Sequence, residues 1–427
     1  MFRIWLCRLP LRAPDAGVGR KVLVLTFKKW GGPFGPPHLY LPMAMVVPLL
    51  ALFLATNHFL QRSPQKTFET IAKKADLART GDRVNDALEL YTEGVRLRPS
   101  WSEGWWSLGS LLYDQDRFPE AQAAFERFAA IAPKPGPAYA FLGLCEYETH
   151  EYDRALQHFR QWTRAGWAGT PELLDVAVFH FALLLTREGR FPEALYLLAT
   201  EEGKMGSSPA LVEAMGLASL RMKNLPEDYP PQRREMVWLA GEAALRASSY
   251  PKDFARVDEY ARRLLSRYDR EPNVHSFRGS LYSFEHKDSE AAAEFRRELE
   301  ISPQHVPAMV EIARMDVSNN ELVEAMSLAK RAAEIEPKNA EARHVLGQVL
   351  FATRQLRESA QELEAAKQLA PDSAPIRIHL ARVYNALGRK KEAEQEAAAV
   401  RLLRDKEQVL APPQEKVAPQ REPERPR

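Results

Sequence analysis

Residues 102–135 read SEGWWSLGSLLYDQDRFPEAQAAFERFAAIAPKP, and the fold is decided by how this stretch is read. Trp105, Leu108 and Leu112 recur at helical spacing on one face. Gly109 lies inside that helix, where glycine costs roughly 1 kcal/mol against alanine. A second helix opens near Pro119, a residue tolerated in a first turn, and stops before Pro133. It carries Ala121, Phe125 and Phe128 on its inner face. Gly109 and Ala121 are small where two antiparallel helices must cross closely, and the bulky residues fill the space beside them. The combined apolar face is too large for one pair to bury, so neighbouring pairs must cover it.

The neighbours are present. Pro99 and Pro133 are 34 residues apart, as are Gly109 and Gly143, Ala121 and Ala155, and Phe125 and Phe159. Pro303, Pro337 and Pro371 follow the same interval. This pattern resembles the tetratricopeptide repeat (TPR) family over most of Phe68 to about Gln408. The resemblance implies an all-α, right-handed superhelical solenoid of antiparallel helix pairs that binds other proteins. It leaves the ligand open, because function lives in sites grafted onto the fold.

Composition narrows the function classes. Of 427 residues, 45% are apolar and 27% charged, as in a soluble helical protein. A formal net charge of +2 argues against a strongly basic nucleic-acid binder. Cys7 and Cys145 are the only cysteines, so a disulfide framework is excluded and the redox compartment stays undetermined.

Along the chain, residues 1–38 form a basic, irregular extension rich in Gly and Pro. Residues 39–60, LYLPMAMVVPLLALFLATNHFL, contain no Asp, Glu, Lys or Arg. The segment, bounded at 39–61, is long enough to span a bilayer, and its core has the length of a signal peptide. The absence of a small-x-small cleavage site favours an uncleaved anchor over a signal peptide. A hydrophobic helix capping the first repeat is the remaining alternative. Met1, Met43 and Met45 are all possible starts. The positive-inside rule gives a small preference for the amino terminus inside, hence an extracytoplasmic repeat domain.

An amino-terminal TPR arm is expected over 66–202 and a carboxy-terminal arm with its capping helix over 252–408. Between them, 203–251 loses the register: Pro209–Met222 and Arg233–Ala247 each carry a mid-helix glycine and read as two first helices. Asp253–Tyr268 reads as a second helix, an odd count that suggests a bend, or a repeat missing its partner. Residues 409–427 are proline-rich with mixed charge, the composition of a disordered tail.

No catalytic or metal constellation rises above background, so an enzyme, a cofactor, a metal centre or a small-molecule substrate is not expected. His150 and His158 lie eight apart across a turn, unlike the i, i+4 pair of a helical zinc site. His344 and His379 lie in successive repeats and could approach each other. The resemblance assigns particular first-helix positions to a concave groove. These are Trp106, Tyr113, Phe141 and Tyr147 in the first arm. In the second they are Phe277, Arg314, His344, Gln348, Phe351, His379, Arg382 and Asn385. The first set suits apolar peptide side chains; the second suits a carboxylate or backbone amides. For the aromatics, packing between adjacent repeats is the competing reading. The Lys and Asn set with which some relatives hold a carboxyl terminus has no counterpart, since the matching positions begin Ala72 and Asp76, or Ser276 and Ser280. A non-enzymatic, membrane-anchored or exported scaffold is the expected function. An accessory subunit or assembly factor of an envelope or secretion complex is the alternative.

Overall fold

A computed structural model describes residues 65–206, 208–249 and 252–410. Among them there is helix and no strand. The apolar segment 39–60 and the tail from 411 on lie outside the described residues, and so do the expectations placed on them. No helix among the described residues is long and apolar enough to cross a membrane.

The described residues form two compact units, one up to His158 and one from Phe159 on. The first contains α1 (65–80), α2 (Val84–Leu97), α3 (Ser102–Asp114), α4 (Phe118–Ile131) and α5 (Gly136–Glu148), and ends within α6 (Tyr152–Arg164). The second takes up α6 and continues with α7 (Pro171–Glu188), α8 (Phe191–Thr200), the single turn α9 (Glu202–Met205) and α10 (Pro209–Ser219). It then runs through α11 (Arg234–Ser248), α12 (Phe254–Tyr268), α13 (Val274–Phe284), α14 (Asp288–Ile301) and α15 (Val306–Ser318). It closes with α16 (Leu322–Ile335), α17 (Ala340–Ala352), α18 (Leu356–Leu369), α19 (Ala374–Ala386) and α20 (Lys390–Leu410).

One turn closes nearly every first helix. Asp82, Asp116 and His150, then His286, Asn320 and Arg354, hold positive φ between 55° and 66°. Gly189 and Gly388 hold the same place. The following amide donates to a carbonyl five residues back, as Arg117 N does to Leu112 O at 3.0 Å and Lys287 N to Tyr282 O at 2.9 Å. This is a Schellman turn, in which a left-handed residue satisfies carbonyls that the helix end would orphan. Such a short turn forces the next helix back antiparallel along the first.

The crossing is built as the repeat pattern implies. A Cβ added to Gly109 would come within 2.9 Å of the Phe125 ring, and one on Gly279 within 2.8 Å of the Phe295 ring. Phe125 and Phe295 are buried, as are Ala121 and Ala291 at the facing small positions. Where Ser359 stands in place of that alanine, its hydroxyl donates to Gly347 O at 2.7 Å, so the polar group is buried without loss.

In the stretch 203–251 the two helices that read as first helices pack on each other. Gly216 would place a Cβ 2.0 Å from Val237 O, and Gly241 one 1.9 Å from Val212 O. The two glycines face each other's helices, so α10 and α11 pack backbone to backbone, closer than any crossing of the repeat type. Arg221, with φ 53°, and the bond from Met222 N to Leu217 O close α10 as a first helix is closed. Helix α12 packs on α11 in turn, so the three helices are continuous with their neighbours. The two units divide inside α6 rather than in this stretch.

Candidate functional site

The aromatic half of the expected groove is largely core. Trp106 is 8% exposed, with its ring 5.6 Å from Phe125, 5.1 Å from Phe128 and 5.5 Å from Phe141. Phe141 stacks on Phe125 at 4.7 Å and is buried. A ring touched on several sides by other rings has no face left for a ligand, so Trp106 and Phe141 are corrected to interior residues, and buried Phe277 joins them. Tyr113 is half-buried, edge-on to Phe118 at 5.5 Å and to Phe141 at 5.2 Å. Burial pushes its hydroxyl well above the ordinary tyrosine range. Tyr147 is half-buried against Tyr152 at 5.5 Å.

The polar half is different. Helices α15, α17 and α19 are first helices of consecutive pairs; α15 packs beside α17, and α17 beside α19. Residues spaced three or four apart therefore form a ladder across three helices. Arg314 on α15 lies 3.2 Å from Glu311 and 3.0 Å from Glu341 of α17. Glu341 stands 3.6 Å from Nδ1 of His344, whose Nε2 lies 2.9 Å from Nδ1 of His379 on α19. The Gln348 amide nitrogen is 3.2 Å from His344 Nε2 and 3.3 Å from His379 Nε2. The approach of the two histidines expected from the repeat interval is thus met.

The electrostatics follow from this chain of contacts. The His344 hydrogen bond, ahead of Arg314, holds Glu341 below the usual carboxylate range. Burial pushes Glu311 up. Burial first, then His344, Arg382 and Arg314, hold His379 below the ordinary histidine range. Arg382 and Asn385 are exposed at the α19 end, and Phe351 is half-buried against the core of α18 and α19. His344 is buried and supports the ladder rather than facing outward. What remains accessible is the Arg382 guanidinium, the Arg314 guanidinium already paired with Glu311 and Glu341, an imidazole and two side-chain amides, a set with donors for an anion or for backbone carbonyls.

Sequence reasoning missed two features. Trp101 lies over Gly94 and Gly104, where an added Cβ would come within 2.6 Å and 2.1 Å of its ring. Its ring meets Phe68 edge-on at 5.1 Å and tilts over Tyr91 at 5.7 Å, which joins α1 to the repeats. The paired glycines flanking this tryptophan were the available signal. The second feature is Glu146, buried completely at a position where Leu112 stands one repeat earlier. His158 lies 2.6 Å from one of its oxygens and Arg154 3.2 Å from the other. His158 is therefore a partner of a buried carboxylate, and His150 binds the Tyr152 hydroxyl at 2.6 Å.

Comparison with known proteins agrees with the repeat architecture. The Tetratricopeptide repeat family matches residues 73–135 and 107–170. The family described as Anaphase-promoting complex, cyclosome, subunit 3 matches residues 318–398. No curated protein matches the sequence. Among solved structures, the MamA RS-1 ArsTM double mutant is 15% identical with a TM-score of 0.36, covering 42% of this chain and 97% of that one. MamA 41-end from Desulfovibrio magneticus RS-1 is 17% identical with a TM-score of 0.32, covering 39% and 96%. MamA AMB-1, in crystal form P212121, is 19% identical with a TM-score of 0.33, covering 40% and 99%. At such values the likeness does not extend to partners. The 34-residue interval, the left-handed turn after each first helix, the small-on-ring crossings and the two sequence matches converge, and the chain is a tetratricopeptide-repeat protein.

Proposed function

We propose that the protein is a non-enzymatic interaction scaffold that holds an acidic or carboxylate-bearing protein segment on the face of α15, α17 and α19. The observation that carries this reading is the ladder itself: His344, Gln348 and His379 meet across two helices, with Arg314 and Glu341 continuing the contacts onto α15. Core packing explains Trp106, Phe141 and Phe277 without a ligand; it does not explain a row of polar donors on consecutive first helices. Arg382 supplies charge beyond that of Arg314, which Glu311 and Glu341 already pair, and Gln348 and Asn385 supply amides for a bound backbone. The uncharged stretch 39–60 supports a membrane-tethered or exported location for the scaffold.

The test is capture of acidic and neutral peptides of equal length by the full chain, read by fluorescence anisotropy. Arg382→Glu should abolish preference for the acidic peptide with little change in melting temperature, since this side chain is exposed. Equal binding of both peptides by the unaltered protein would remove the reading.

A further inference from the structure

Glu146 has a counterpart in the second unit that is left incomplete. Asp316 stands 170 residues later, five times the 34-residue period, and like Glu146 it occupies a position where other repeats carry Leu112, Tyr282 or Leu350. It is 2% exposed. The surrounding residues correspond one to one, but the charges are transposed. In the first unit Glu126, Glu146 and Glu151 surround Arg154, which bonds all three. At the matching places the second unit has Arg296, Asp316, Glu321 and Glu324. The arginine has moved to the place of Glu126, and a carboxylate has taken the place of Arg154.

Two further replacements remove the remaining partners. Leu328 stands where His158 binds Glu146, and Ala292 where Gln122 reaches it. Arg296 is the cation left, and its contacts are long: 3.5 Å to one Asp316 oxygen and 3.4 Å to Glu324. The other Asp316 oxygen is buried with no hydrogen-bond partner. One carboxylate oxygen each from Asp316, Glu321 and Glu324 lies within 4.8 Å of the others. Three carboxylates facing one guanidinium leave two negative charges in excess, and an orphaned buried carboxylate oxygen is costly.

The geometry points to a divalent cation site at Asp316, Glu321 and Glu324, with Ca²⁺ as the ion it fits. An all-carboxylate donor set selects hard cations. The three oxygens lie close enough for one Ca²⁺ to reach them all at about 2.4 Å, and Ca²⁺ accepts irregular coordination, whereas Mg²⁺ demands a near-octahedral shell and dehydrates reluctantly. The ion would supply the counter-charge that Arg154 and His158 supply in the first unit, and solvent can reach it through the exposed Glu321 and Glu324.

The experiment is calorimetric titration of the chelator-stripped full chain with CaCl2 near neutral pH, with thermal unfolding measured in parallel. One saturable Ca²⁺ should bind and raise the melting temperature. Asp316→Asn and Glu324→Gln should each weaken binding about tenfold or more, since losing even an outer-shell partner of a metal ligand costs about that much. Glu324 is exposed, so its variant should fold even if Asp316→Asn does not. Arg296→Met should tighten binding several-fold by removing the competing cation, while Glu126→Gln in the first unit should leave it unchanged. The proposal is overturned if ~10 mM Ca²⁺ gives neither saturable heat nor a melting shift, a concentration above the weakest specific sites. It is also overturned if binding survives both carboxylate substitutions, or if Mg²⁺ binds equally well.

Discussion

Gly241→Ala is expected to destabilise the α10–α11 pair by about 3 kcal/mol, although alanine is the better helix former by roughly 1 kcal/mol. The new Cβ would sit 1.9 Å from Val212 O. Real Cβ atoms stay beyond about 3 Å of such an atom, and a backbone carbonyl inside a helix cannot swing aside, so the helices must part by about 1 Å. A gap of that size forfeits a quarter to a half of the dispersion between the facing surfaces. The two helices bury Val212, Val237, Leu211 and Leu245 completely, worth about 1.5–3 kcal/mol apiece, with Val212 and Val237 at the crossing itself. Half of that total, less the gain in helix propensity, leaves ~3 kcal/mol. Hydrogen exchange resolved over α10 and α11 is the suitable assay, because repeat proteins need not unfold in two states. The expected loss of protection is roughly 150-fold, since each 1.4 kcal/mol is tenfold. Gly109→Ala is the control: its obstacle is the edge of a ring that can tilt, so its cost should stay near 1 kcal/mol. Exchange in α10 and α11 within threefold of the unaltered protein would refute the backbone-to-backbone packing.

Phe125→Ala should cost about 3–5 kcal/mol by opening a cavity beneath Trp106 and Phe141, seen as lost protection in α3 to α5. Tyr113→Ala should lower stability rather than selectively weaken partner capture, because the ring packs on Phe118 and Phe141; unchanged melting with lost capture would return it to the groove. Ser359→Ala should change stability by no more than about 1 kcal/mol, since one buried hydrogen bond is lost where other repeats already carry alanine. Two histidines should give opposite pH dependences. The hydrogen bond to Glu294 raises His275, so its contribution is fully present below pH 6.5 and is lost as pH rises through the raised value. His379 is lowered by burial, so its contribution is present above pH 6.5 and is lost as pH falls through the depressed value. Stability of His275→Gln and His379→Gln measured across this range checks both signs.

The sequence by itself determined the repeat architecture, because local rules act within one period. Gly109, Ala121 and Phe125 encode a crossing, and the same residue types 34 positions away encode its copies, so the helix pairs were legible from 102–135 outward. The approach of His344 to His379 was legible for the same reason: equal register puts equal positions on adjacent first helices. Which face a ring turns to was not legible. Trp106 and Phe141 hold groove positions in the family pattern, yet each finds enough aromatic neighbours to be buried, and that depends on Phe125 and Phe128 arriving from α4. The pairing of α10 with α11 was equally hidden, since each helix carries a glycine that makes sense only against the other's backbone. The buried carboxylates were the least legible of all. Glu146 and Asp316 look like ordinary polar residues near a helix end, and only the tertiary structure surrounds one with Arg154 and His158 while leaving an oxygen of the other unpaired. A charge is defined by what it meets, and what it meets comes from helices distant in sequence.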